Sequence, residues 1–256
     1  MDFRGGFMEL RRDVLMICII TLLGARVGVA QYGSAAVAAL TGDDAGIVLA
    51  QPCVAVEKTV DITPLADGTK ITKRTEELKW RDSQGRFRKE ATRVEDGHEA
   101  VYTVATIIDP IKNTITTLHL DTKTASVVHL PQGTLHPYAD LDGKEILARP
   151  GVKVKVEKLD GKTIAGVYAI GRRVTRIRTP GTIGNDKTVV SVSERWVSPD
   201  IKLLLASSMD DPREQLTREV THLERVEPDA SLFEVPADFT VKEAEGRPLN
   251  QVVLQH

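Results

Sequence analysis

The sequence predicts a mainly all-β protein: a single strongly curved antiparallel sheet, or half-barrel, of about eleven strands with a short N-terminal helix or leader. Three observations predict it. From Cys53 onward, apolar and polar residues alternate with period two. Turn signals such as Asp67-Gly68 and Asp160-Gly161 recur at short spacing. No long stretch carries the apolar spacing of an amphipathic helix.

Residues 1–30 have the order of a secretory signal peptide. Arg11 and Arg12 precede an apolar run over 14–25, and Gly28 and Ala30 are the small residues before a cut after Ala30. The run is shorter than the roughly twenty residues that span a bilayer. The expected location is secreted or periplasmic. Residues 31–52, rich in Ala and Gly, are read as a leader, either a short helix or flexible. The β domain is expected over 53–241 and a C-terminal tail over 242–256. Cys18 leaves with the signal, so Cys53 stands alone and no internal disulfide holds the fold.

"VAVEKTVDIT" (54–63) and "KITKRTEELKWRD" (70–82) flank the first turn. In "LKWRDSQGRFRKE" (78–90), an even loop centred on Gln84-Gly85 puts Leu78, Trp80, Phe87 and Ala91 on one face. Lys79, Arg81, Ser83, Arg86, Arg88 and Glu90 then form a solvated outer face. A three-residue loop with a bulge would instead split Trp80 from Phe87. Strands follow over 100–109, 114–120 and 125–130. Residues 131–150, with three prolines and no period, are read as a mobile loop or lid. "VKVKVEKLDGKTIAGVYAIG" (152–171) is a hairpin turning at Asp160-Gly161, and "RRVTRIR" extends it. Three more strands lie over 188–197, 201–208 and 215–226. "DASLFEVP" (229–236) is a helical turn and a closing strand.

The near-neutral charge, −2, and 4% aromatic content argue against nucleic acid as a partner. His119 and His129 face opposite ways if the "DTKT" loop is even, so no metal site is expected. No serine motif or facing carboxylate pair points to a hydrolase, and no catalytic residue or cofactor is assigned. The Arg-rich strands are a candidate contact with anionic headgroups or a partner's acids, foremost Arg81, Arg86 and Arg88, with Arg172, Arg173, Arg176 and Arg178. The competing account is a solvated face that discourages edge aggregation.

The stretches "TEELKWRDSQGRFRKE", "ATIIDPIKNTITTLHLDTKTASVVHLP", "GVYAIGRRVTRIRTPGTIGND", "SERWVSPDIKLLLASSMDDPREQLTREV" and "RVEPDASLFEVPADFTVKE" resemble a family of bacterial secreted proteins without an assigned function. The resemblance runs from about residue 53 to 243. That family's plan is similar to the periplasmic outer-membrane lipoprotein carriers, in which a bent antiparallel sheet presents an apolar concave face under a helical lid. The function expected is that of an exported, non-enzymatic binding or carrier protein, because the apolar inner face of such a sheet cannot stay open to water over a large area. Its ligand would be an apolar small molecule, lipid, acyl chain or lipoprotein, with peripheral membrane contact. Trp80, Phe87, Val154, Val156, Val190, Val192 and Trp196 are the expected concave-face residues. The alternatives are a structural or interaction module of the envelope with a filled core, and a hydrolase with an unrecognised site.

Overall fold

A computed structural model describes residues 46–94, 104–138 and 150–245. The expected signal peptide, most of the expected leader, most of the second half of the expected lid and residues 246–256 lie outside the described residues. Twelve strands form one sheet. In chain order they are β1 (Cys53–Pro64), β2 (Lys70–Arg81), β3 (Phe87–Val94), β4 (Val104–Asp109), β5 (Thr114–His119) and β6 (Thr124–His129). Then come β7 (Val152–Ile164), β8 (Val167–Arg178), β9 (Val189–Ser198), β10 (Leu203–Asp211), β11 (Glu214–Glu224) and β12 (Thr240–Glu245). The sheet does not close: its order runs β12-β6-β5-β4-β3-β2-β1-β11-β10-β9-β8-β7. Every neighbouring pair is antiparallel except β12 beside β6. The architecture is the expected open half-barrel, with one strand more than the sequence predicts.

The register identifies the inner side. Thr63 on β1 and Arg176 and Arg178 on β8 line one cleft, although β11, β10 and β9 separate them. A flat sheet would hold these strands about 19 Å apart. The sheet therefore bends around this side. Following the cross-strand pairs, the concave face carries Ala55, Lys79, Phe87, Thr106, Ile115 and Val128.

Three apolar clusters hold the sheet. Phe87, Ile108, Ile115, Val128 and Leu130 pack on the concave face of β3–β6 with Ile47 and Leu135. Segments 46–50 and 131–138 thus cap that half, joined by the parallel bridge of Ile47 to Pro137. On the convex face Ala105, Ile107, Leu118 and Ala125 are covered by Phe233, Leu232, Val235 and Phe239. This strap begins at the 3-10 turn Ala230–Phe233, capped by Asp229, whose side chain accepts from the Ser231 amide. The third cluster joins Cys53, Ala55, Ile201, Leu203, Leu205 and Val220 to Ile164 and Ala169 near the β7–β8 tip. Burial pushes the Cys53 thiol pKa up, against the lowering effect of Arg81, so Cys53 is a core residue rather than a nucleophile.

Four sequence expectations are corrected. First, Arg81 pairs with Phe87, so the loop holds Asp82–Arg86 and is odd. Trp80 and Phe87 therefore lie on opposite faces. The cause is Asp82: its carboxylate accepts from the Arg86 amide (2.8 Å) and guanidinium Nε (2.6 Å), closing a five-residue loop with Gly85 at φ +81°. Second, the hairpin does not turn at Asp160-Gly161. Those residues sit in a bulge between Leu159 and Lys162, and the chain turns at Ala165-Gly166. A Cβ on Gly161 would meet the Tyr168 hydroxyl at 2.1 Å. Third, the closing strand is not within 229–236; those residues form the strap. Fourth, β12 continues the sheet to Glu245, beyond Val241, where the domain was expected to end.

Candidate functional site

The two halves of the concave face differ. Over β3–β6 it is filled by the caps just described. Over β7–β9 no such layer lies on it among the described residues: Val156, Tyr168 and Ile170 are 44%, 57% and 53% exposed. By register, Val154 pairs with Arg176 and Arg176 with Ser191, while Val156 pairs with Val174 and Val174 with Ser193. Valines, arginines and serines thus share one face. Next to this strip lies a cleft of about 470 Å³, lined by the polar and charged Thr63, Arg176, Arg178, Ser191, Ser193, Asp211, Arg213 and Glu214 and by the apolar Val192 and Met209.

The cleft's charges are unevenly satisfied. Arg213, on the β10–β11 turn, donates through Nε (2.7 Å) and Nη2 (3.1 Å) to the two oxygens of Asp211. This hydrogen bonding holds the Asp211 carboxyl below the usual carboxylate range. Arg178 donates to Ser191 Oγ at 2.9 Å and lies 3.7 Å from Asp211. Arg176 donates only to Ser193 Oγ, at 3.4 Å, and among the described residues it makes no ion pair. Burial, and then the like charges of Arg178 and Arg172, hold its pKa below the ordinary arginine value. Asp61, further along the same face, leaves Oδ1 buried without a partner.

A second charged group lies between the cleft and the cap, on the concave side of β1–β3. Lys79 Nζ reaches Glu57 at 2.8 Å and Glu77 at 3.4 Å, and Lys89 reaches Glu77 at 3.7 Å. Burial holds Lys89 below the usual lysine value, against the raising effect of Glu77. The like charges of Lys79 and, from β11, Arg218 act in the same direction as burial.

The predicted concave-face residues divide. Phe87, Val154 and Val156 are on that face, but Phe87 is buried in the cap. Trp80, Val190 and Trp196 lie on the other side of their strands; Val192 alternates to that side as well, yet it contributes to the lining of the cleft. Trp80 packs under the strap. Trp196 stacks against Gly171, where a Cβ would sit 2.5 Å from the indole nitrogen, and Lys162 covers its ring at 3.7 Å.

The predicted anionic contact, Arg81, Arg86 and Arg88, is not a surface. Arg81 is 4% exposed and donates to the carbonyls of Ile201 (2.6 Å) and Gln51 (2.8 Å). Arg86 pairs with Asp82 and stacks on Phe233. Arg88 pairs with Glu90 and donates to the Leu232 carbonyl at 2.7 Å. These guanidiniums are structural ties, and the solvated outer face expected of residues 78–90 is absent. Of the Arg-rich strands, β8 alone presents two guanidiniums to the cleft. His119 and His129 occupy opposite faces, since His119 pairs with Thr124 and His129 with Thr114.

No protein-family model matches the chain, and no curated protein matches it. Solved structures do. A putative outer membrane lipoprotein-sorting protein domain from Vibrio parahaemolyticus is 9% identical, covering 72% of this chain and 89% of that one, with a TM-score of 0.29. A LolA superfamily protein from Nitrosomonas europaea is 10% identical, covering 80% and 98%, with a TM-score of 0.29. LprF from Mycobacterium bovis is 12% identical, covering 74% and 90%, with a TM-score of 0.30. The chain is similar to these structures at low sequence identity. At these TM-scores nothing about ligand, partner or chemistry follows from the likeness.

Proposed function

We propose that this is an exported, non-catalytic binding or carrier protein that holds the apolar part of an amphiphile, such as an acyl chain, on the concave face of β7–β9. One observation carries the reading: Val154, Val156, Tyr168 and Ile170 share that face, and the last three stay exposed on strands that could have buried them. Each such side chain gains roughly 1.5–3 kcal/mol when fully removed from water. A chain laid along the strip recovers part of that. Export rests on the basic, apolar and small-residue order of residues 1–30. Of the residues expected to line the site, Val154 and Val156 remain in it; Phe87 supports the cap.

The test is uptake of a fluorescent fatty acid, with mass spectrometry of lipid extracted from the purified protein. Saturable uptake that falls at least about tenfold when Val156 and Ile170 are both changed to Asp supports the reading, since two buried charges would each cost more than 1.4 kcal/mol. No uptake and no extractable lipid would end it.

A further inference from the structure

The cleft contains a combination that folding alone does not require. Arg176 is partly buried, is flanked by like charges on its own strand, and among the described residues has a serine hydroxyl as its acceptor. Nearby acids do not neutralise it. Asp211 is held at both oxygens by Arg213, and the charge of Glu214 also bears on Arg213. A guanidinium placed this way raises the energy of the empty site. An anion entering the cleft would relieve that cost, which is how sites that await a charge are built.

The donors describe the anion. Arg176 and Arg178 stand two residues apart on β8, so they face the same way about 6.6 Å apart along the strand. Ser191 and Ser193 repeat that spacing on β9, and each already lies within reach of one guanidinium. Thr63 adds a hydroxyl from the opposite wall. A carboxylate is satisfied by one guanidinium fork. Two guanidiniums and three hydroxyls supply donors for the several oxygens of a tetrahedral anion. The apolar strip begins at the adjoining position, because Val154 pairs directly with Arg176.

We infer that Arg176 and Arg178, with the hydroxyls of Ser191 and Ser193, bind a phosphate-type oxyanion, the head of an amphiphile whose chain lies on the strip. This deepens the carrier reading and rests on it. The role differs from that of Arg81, Arg86 and Arg88, which serve the fold.

The experiment compares lysophosphatidic acid with a monoacylglycerol of the same chain length, each displacing a bound fluorescent fatty acid. The phosphate is expected to tighten binding about 10- to 100-fold, the usual worth of charge-assisted hydrogen bonds. Changing Arg176 and Arg178 to Gln should remove that advantage and leave monoacylglycerol binding unchanged. Arg176→Lys, which keeps the charge without the fork, should fall between. Arg176→Gln alone relieves crowding of like charges, so an unchanged or raised melting temperature is expected for it, whereas Arg178→Gln also gives up the contacts with Ser191 and Asp211. Equal binding of the two lipids by the natural protein, or an advantage that survives in the Gln variant, overturns the oxyanion site while leaving the carrier reading intact. If neither lipid binds, the carrier reading fails, and inorganic phosphate then tests the site alone. Saturable shifts of the Arg176 and Arg178 Nε–Hε NMR signals would keep it, and their absence would overturn it as well.

Discussion

Replacing Lys79 with Met is expected to destabilise the protein by about 3–5 kcal/mol, the usual cost of removing one member of a buried ion pair. Lys79 is 6% exposed and Glu57 4%. The two acids it serves, Glu57 and Glu77, lie directly opposite each other on β1 and β2. Like charges in that relation repel, and Lys79 Nζ bridges them at 2.8 and 3.4 Å. Without it, Lys89 still balances Glu77, but Glu57 is buried with no ion-pair partner in direct contact among the described residues. The double variant Lys79→Met, Glu57→Leu removes the stranded charge and should recover most of the loss. Urea denaturation of the three proteins at constant slope measures both effects. A single-variant loss below about 1 kcal/mol would show that water reaches this network and that the concave wall is wet there.

Arg81→Met is expected to cost a similar amount, about 3–5 kcal/mol, by a different route. Its guanidinium fastens the β9–β10 turn through the Ile201 carbonyl, and through Lys202 at 3.4 Å, to the segment before β1 through the Gln51 carbonyl. Methionine fills much of the same volume and satisfies none of these acceptors. Each buried acceptor left bare costs about 1–3 kcal/mol. Thermal unfolding followed by circular dichroism would show the loss. A midpoint within a degree or two of the natural protein would mean that the turn is held by the packing of Ile201 and Leu203 alone.

These two residues mark where the sequence could and could not be read. Period-two alternation located most of the strands and their antiparallel order, because a strand's two faces meet different surroundings. It did not say which face of residues 78–90 was wet. Lys79 and Arg81 look like solvent-facing residues, yet the shortest polar contact of each is to a residue more than twenty positions away in sequence, Glu57 and Ile201. Charge is a poor guide to exposure when its counter-charge arrives from another strand. The loop after Arg81 was misjudged by one residue, and that slip moved Trp80 across the sheet. The Asp82–Arg86 contact that sets the loop was visible only as two charges in a turn. Arg176 and Arg178 were legible as part of an arginine-rich strand. What distinguished them was the bend that brings Thr63 of β1 toward β8, and no local pattern encodes that.

The strand order has a consequence for how the chain emerges during synthesis. β1 to β6 form a contiguous block, and what covers its two outer edges comes late: β11 pairs with β1, and β12 pairs with β6. Until then, a nascent chain carries a six-stranded block with a bare row of amides on each flank, a ready template for pairing with another molecule. Ending the chain at Glu227 should reproduce half of that state. It removes β12 and the strap over Ile107 and Leu118, and the shortened protein is expected to elute from a sizing column as oligomers larger than the full chain. An unchanged elution volume would mean that residues 228–256 guard nothing.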